Sequence, residues 1–178
     1  MARIRPLAID EAEPAARDEL EHHLAASGRV TNMKRTLAHS PPALHALMQW
    51  YPLRDTVKPF LGERLTTLFA HAVSAQTDCL ICSTFFRRML IDSGENPDAL
   101  KLDERERAVV EYGRQLARDA NGVSEELYGR LARFLQPAQI VALTAFGGLM
   151  IATNVFNNAL RVDLDEYLQP FRKASGGR

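Results

Sequence analysis

Cys79 and Cys82 are the only two cysteines in 178 residues, and they stand three apart in Cys79-Leu80-Ile81-Cys82. On a helix, side chains at i and i+3 have Cβ atoms about 5 to 6 Å apart, so slight tightening reaches the ~3.8 Å of a disulfide. The pair can therefore exchange one S–S bond for two thiols. Redox chemistry is the leading reading of this spacing, and two buried structural thiols are the plainer alternative. A metal is least favoured, because a closed zinc site needs four ligands, and His22, His23, His39, His45 and His71 show no spacing that completes one.

The flanking residues say what must hold the thiols. Leu65, Leu68, Phe69, Ala72 and Val73 recur at helical spacing and define one apolar stripe. That stripe ends in Gln76-Thr77-Asp78, where Thr77 or Asp78 suits an N-cap. Cys82, Phe85, Phe86, Met89 and Leu90 then make the inner face of a second helix. Both cysteines fall near its first turn, where free amide N–H groups and the helix dipole favour a thiolate. Asp78 opposes this by like-charge repulsion. Cys79, at the very start of the helix, is expected to be the more accessible thiol, with Cys82 part of the buried stripe.

A Leu-Gly-Glu-Arg opening at 61–64, a helix of about four turns, C-x-x-C at the head of the next helix and an Asn-containing apolar helix further on resemble the carboxymuconolactone decarboxylase and alkylhydroperoxidase D superfamily. The stretch Gly28-Arg-Val-Thr-Asn-Met-Lys-Arg-Thr-Leu-Ala-His-Ser-Pro41 is similar to its uncharacterised peroxidase-related branch, and the likeness covers roughly residues 28–165. The resemblance implies an all-helical fold, a dithiol site and assembly into a trimer or hexamer. It also implies that the second cysteine, Cys82, meets peroxide, whereas accessibility favours Cys79, so the order of attack stays open. Redox members of the superfamily add a relay: a glutamate twelve residues before the first cysteine, a histidine between the two and a histidine four after the second. Those places hold Thr67, Ile81 and Phe86 here. Glu63 and His71 lie one helical turn on either side of Thr67, which makes His71 the candidate base. An ordinary solvated histidine is the alternative, since that face lies opposite the Leu65, Leu68 and Phe69 stripe.

Composition sets the outer bounds. With 46% hydrophobic and 25% charged residues, the chain can bury one sizeable core, and 1–178 reads as a single helical domain. Twenty-two basic and 22 acidic residues cancel, which gives no field to recruit nucleic acid or an anionic membrane and favours association with further copies. Met1-Ala-Arg-Ile-Arg-Pro lacks the apolar core of a secretory signal, so a cytoplasmic location is expected, where a lone C-x-x-C is more often catalytic than a permanent staple.

The remaining chain reads as helices with clear punctuation. Residues 10–27 are rich in helix formers, with Pro14 early and Gly28 as a stop. Thr31 to His39 and Pro42 to Trp50 are short helices, and Trp50 to Gly62 reads as a connector with aromatic anchors. Asp103 with Glu106 forms a capping box, Ser124 caps the next helix, and Pro137 opens the longest apolar segment. In it Gly147-Gly148 suggests close backbone approach or a kink, and Asn154, Asn158 and Arg161 share a face that could hydrogen-bond a ligand or cap neighbouring helices, with structural bonding the plainer reading. The tail at 171–178 is expected to fray. Strand signals are almost absent, so the architecture is an all-α bundle of about seven or eight helices. The function expected is a dithiol-disulfide oxidoreductase, as an atypical hydroperoxide reductase, with no metal or cofactor, served by a thiol reductant and a small-molecule oxidant. A non-redox helical ligand-binding or assembly protein and a decarboxylase-like lyase are the alternatives.

Overall fold

The computed structural model describes residues 1–173, and these contain eight α-helices and no strand. In chain order the helices are α1 (Pro14–Ser27), α2 (Asn32–Leu37), α3 (Pro41–Met48), α4 (Leu53–Gln76), α5 (Leu80–Asp92), α6 (Glu104–Arg118), α7 (Glu125–Ala132) and α8 (Pro137–Leu160). Short 3-10 turns lie at Ile9–Glu11, Ala120–Gly122 and Glu166–Phe171. The helix ends follow local chemistry. Pro14 occupies the first turn of α1 and Gly28 ends it at φ 70°. Asp103 Oδ1 accepts from the Glu106 N–H at 2.8 Å while Glu106 Oε2 accepts from the Asp103 N–H at 3.1 Å, so two orphan donors at the head of α6 are satisfied reciprocally. Ser124 Oγ does the same for the Leu127 N–H of α7 at 3.1 Å.

α4 is the axis, packed against α5, α6 and α8. Phe69 on α4 and Phe146 on α8, both fully buried, stack with ring centroids 5.8 Å apart. The glycines on the facing helices make room for that stack. A Cβ at Gly147 would sit 2.8 Å from Leu116 Cδ1 and 3.3 Å from Phe69 Cζ, and one at Gly113 would sit 2.9 Å from the Phe69 ring. Close approach is thus what Gly147 provides.

A second, smaller core gathers Ala16, Leu20, Met33, Leu37, Leu44 and Met48 from α1, α2 and α3. Leu47, Tyr51 and Phe156 touch both cores. The seam between them is where the site lies.

Two expectations are corrected. The stretch from Trp50 to Gly62 is helical from Leu53 onward; the chain breaks only at Gly62, with φ 80° and ψ 163°. Pro52, Pro59 and Gly62 punctuate this stretch, and burial of Val57 and Leu61 in the main core overrides them. The tail is ordered further than Pro170, because the Glu166–Phe171 turn packs on α5, with the Arg88 guanidinium 5.2 Å from the Tyr167 ring and 5.7 Å from Phe171. The rest of the expected frayed segment, residues 174–178, lies outside the described residues. As the apolar run after Pro137 suggests, α8 is a core helix: an 18-residue stretch of it reaches mean hydropathy 1.6, enough by length and composition to cross a membrane, but Ile140, Leu143, Phe146, Leu149 and Met150 are buried in the main core.

Candidate active site

The turn between α4 and α5 builds the thiol site. Asp78 takes the left-handed region at φ 51°, which reverses the chain and lets the Cys79 N–H reach Ser74 O at 3.0 Å. Cys79 itself occupies the N-cap position of α5, and Cys82 is the third helical residue. Thr77 and Asp78, expected as caps, have other tasks. Thr77 Oγ1 bonds Ser74 O at 3.1 Å and accepts from Asn154 Nδ2 at 2.9 Å, while Thr77 O accepts from Asn158 Nδ2 at 2.8 Å. Asn154 and Asn158 therefore tie α8 to the end of α4, as the structural reading of that face expects, and Arg161 ends α8 in the left-handed region at φ 49°.

The two cysteines are unbonded thiols 3.6 Å apart. Asn157, on α8, directs its amide at both: Nδ2 is 3.3 Å from Cys82 Sγ and 4.0 Å from Cys79 Sγ. The pair gives up its first proton readily. The neighbouring Cys82 thiol, the amide N–H groups of Cys82 and Ile81 and the Asn157 amide together pull Cys79 down to about 7 against the cost of burial. The second proton is held hard, because burial and the adjacent Cys79 thiolate push Cys82 well above an ordinary cysteine. The two thiols thus titrate as a pair, and its singly deprotonated form holds one proton between two sulfurs.

Exposure runs opposite to expectation. Cys79 is 0% exposed, whereas Cys82 is 8% exposed and lines a cavity of about 620 Å³ at the seam between the two cores. The helix start is covered because α8 closes over it, with Asn157 buried against the sulfurs. Facing Cys82 in the same cavity are Tyr51, Phe85, Phe146, Met150 and, from α2, Lys34. Tyr51 is half-buried, and burial followed by the nearby Cys82 raises its phenol above the ordinary tyrosine range.

His71 is not brought to the thiols. Its charged neighbours are Arg87, Arg114, Asp98 and Lys173, and it is absent from the cavity wall that holds Cys82. Burial and the two arginines pull its imidazole down to about 4, which leaves it too weak a base to deprotonate a thiol. His71 is half-buried on α4, and the charges it feels come from Arg87 of α5 and Arg114 of α6. The relay places are likewise without a base. Thr67 is buried and spends its hydroxyl on Glu63 O at 2.9 Å, and Ile81 and Phe86 are buried apolar residues. Among the described residues no group of His, Cys, Asp or Glu is placed to hold a metal ion.

Asn157, Tyr51 and Lys34 are the site residues that sequence reasoning missed. Asn157 had a signal: it lies three residues beyond Asn154 within an apolar helix, and both are buried. A buried amide on a core helix needs a partner.

No family model matches the sequence, and no curated protein matches it. Among solved structures, the chain is similar to an uncharacterised peroxidase-related protein of Ralstonia eutropha JMP134, described as an alkylhydroperoxidase AhpD core, at 16% identity over 94% of both chains with a TM-score of 0.76. It is also similar to the debrominase Bmp8, at 17% identity over 94% of this chain and 95% of that one, TM-score 0.79. A cysteine-to-alanine variant of that debrominase in complex with 2,3,4-tribromopyrrole matches at 16% identity over 94% of both chains, again with a TM-score of 0.79. The fold is thus all-helical and AhpD-like.

Proposed function

We propose that this chain is a dithiol-disulfide oxidoreductase that reduces an organic hydroperoxide. The observation that carries the reading is the contact of two free thiols, 3.6 Å apart, with one of them in the wall of a cavity. Cys82, as thiolate after its proton passes to Cys79, attacks the terminal peroxide oxygen. The O–O bond breaks, an alcohol leaves with the proton, and Cys82 becomes a sulfenic acid. Cys79 then attacks the Cys82 sulfur, releasing water and forming the disulfide, and an external thiol reductant restores both cysteines. The AhpD-like fold supports this reading. No base beyond the pair is needed, because the shared proton supplies the transfer.

The debrominase likeness and the aromatic cavity wall favour a second reading, in which the same two thiols reduce a carbon–halogen bond. There a C–Br bond becomes C–H, HBr is released, and the same disulfide results. The reading also extends to a homo-oligomer: α8 exposes Val141 at 69% and Val155 at 60%, with Trp50 at 49%, and the chain has no net charge to keep copies apart. Light scattering on the purified chain tests that assembly, and a monomer removes it.

Intact-mass analysis tests the core reading. Reduced protein treated with cumene hydroperoxide is expected to lose the mass of two hydrogens, confined to the peptide with Cys79 and Cys82. Loss of that change with cumene hydroperoxide but its appearance with a bromopyrrole selects the second reading, and its absence with both overturns the dithiol function.

A further inference from the structure

The cavity that Cys82 lines is apolar along most of its wall, with four cations among the residues around it. Phe85, Phe86, Phe146, Leu149 and Met150 make the apolar side, and the volume of about 620 Å³ falls in the range of small-molecule sites. Four cations, Arg29, Lys34, Arg54 and Arg88, face it, against two carboxylates, Glu63 and Asp165. Most of this charge is already matched. Glu63 is held by Arg54 and Lys58, Arg88 pairs with Asp92, and Arg29 lies 4.3 Å over the Tyr167 ring with Asp165 nearby.

Lys34 is the exception. Its Nζ sits 5.4 Å from the centroid of the Tyr51 ring, and among the described residues it makes no ion pair. Glu19 helps from a distance, but that carboxylate lies 3.8 Å from His45. Burial pushes the ammonium below the ordinary lysine range, so its charge is held at a cost that an anionic ligand would relieve. Tyr51, the ring that Lys34 faces, lines the same cavity as Cys82.

We propose that the Cys82 cavity binds an amphipathic organic carboxylate, its head group at Lys34 and its apolar body along Phe85, Phe146 and Met150, so that the far end is delivered to Cys82. This rests on the dithiol reading for its consequence, a substrate that is a carboxylate-bearing hydroperoxide, but the binding itself needs no redox step.

The test is calorimetric titration of the reduced full chain with 4-phenylbutyrate and with its uncharged counterpart 4-phenylbutanol. The carboxylate is expected to bind ~10-fold tighter than the alcohol, the ratio of one charge-assisted contact, and raised salt should shrink that ratio. Lys34→Met should erase the difference while alcohol binding persists as the sign of an intact cavity, and Lys34→Arg should retain it. Equal affinity for the two probes, binding of neither, or an undiminished preference in Lys34→Met overturns the inference. Because these readouts involve no sulfur chemistry, a failure to form the disulfide with hydroperoxide would leave them standing, and the two readings fail separately.

Discussion

The side-chain amide of Asn157 is shared by both sulfurs, 3.3 Å from Cys82 and 4.0 Å from Cys79. A helix three segments away in the chain thus supplies the polar contact that the missing relay residues do not. The amide favours the thiolate form of the pair without itself titrating. Replacing it by the near-isosteric Asn157→Asp substitutes a carboxylate for a donor. We expect the first thiol pKa to rise by ~1 to 2 units, from the loss of a hydrogen bond to a charged group. The pH dependence of alkylation by iodoacetamide measures it, and an unchanged midpoint removes Asn157 from the site.

That dependence on α8 also marks where sequence reading stops. The C-x-x-C pair, the apolar stripes of α4 and α5 and the caps at Asp103 and Ser124 are local patterns, set by neighbours within a turn or two, and each is legible in order along the chain. Whether Cys79 or Cys82 is covered depends on how α8, some 75 residues on, lies over the start of α5. His71 failed for the same reason: periodicity places it on a face, but only packing decides that the charges it feels are those of Arg87 and Arg114. Lys34 and Tyr51 join the site only because two cores meet at a seam.

His71 makes stability depend on pH. Its folded pKa is lowered to about 4 from 6.5, so between these values the unfolded chain binds more protons than the folded one. Stability therefore rises with pH through this window and is lost as pH falls from 6.5 toward 4. The contribution at stake is on the order of 3 kcal/mol. Urea unfolding at pH 7.5 and pH 5 should show a smaller pH difference for His71→Asn than for the wild type. Equal differences in the two proteins would mean that His71 is not desolvated.

Two glycines should respond in opposite directions to the same substitution. At Gly113 a Cβ would meet the Phe69 ring at 2.9 Å, and that ring is fully buried against Phe146. Gly113→Ala should cost ~1 to 3 kcal/mol by overpacking. At Gly129, exposed within α7, a Cβ meets nothing within 4 Å, so Gly129→Ala should gain up to ~1 kcal/mol from helix propensity. Denaturant midpoints compare the pair, and a stabilised Gly113→Ala would contradict the close approach of α6 to α4.

The order of attack can be read by removing one thiol at a time. With Cys79→Ser, the like charge that raises Cys82 is gone, and serine is a good residue for the N-cap place that Cys79 occupies, so the helix start should hold. The remaining Cys82 still faces the cavity, and hydroperoxide should add one oxygen to it, trapped as a sulfenic acid because no resolving thiol remains. With Cys82→Ser, the only thiol left is 0% exposed and does not line the cavity that holds Cys82, so the same treatment should add no oxygen to it. Intact mass with dimedone trapping separates the two. Oxygen gain at Cys79 in Cys82→Ser, with none at Cys82 in Cys79→Ser, would reverse the assignment and require the turn at Asp78 to open before reaction.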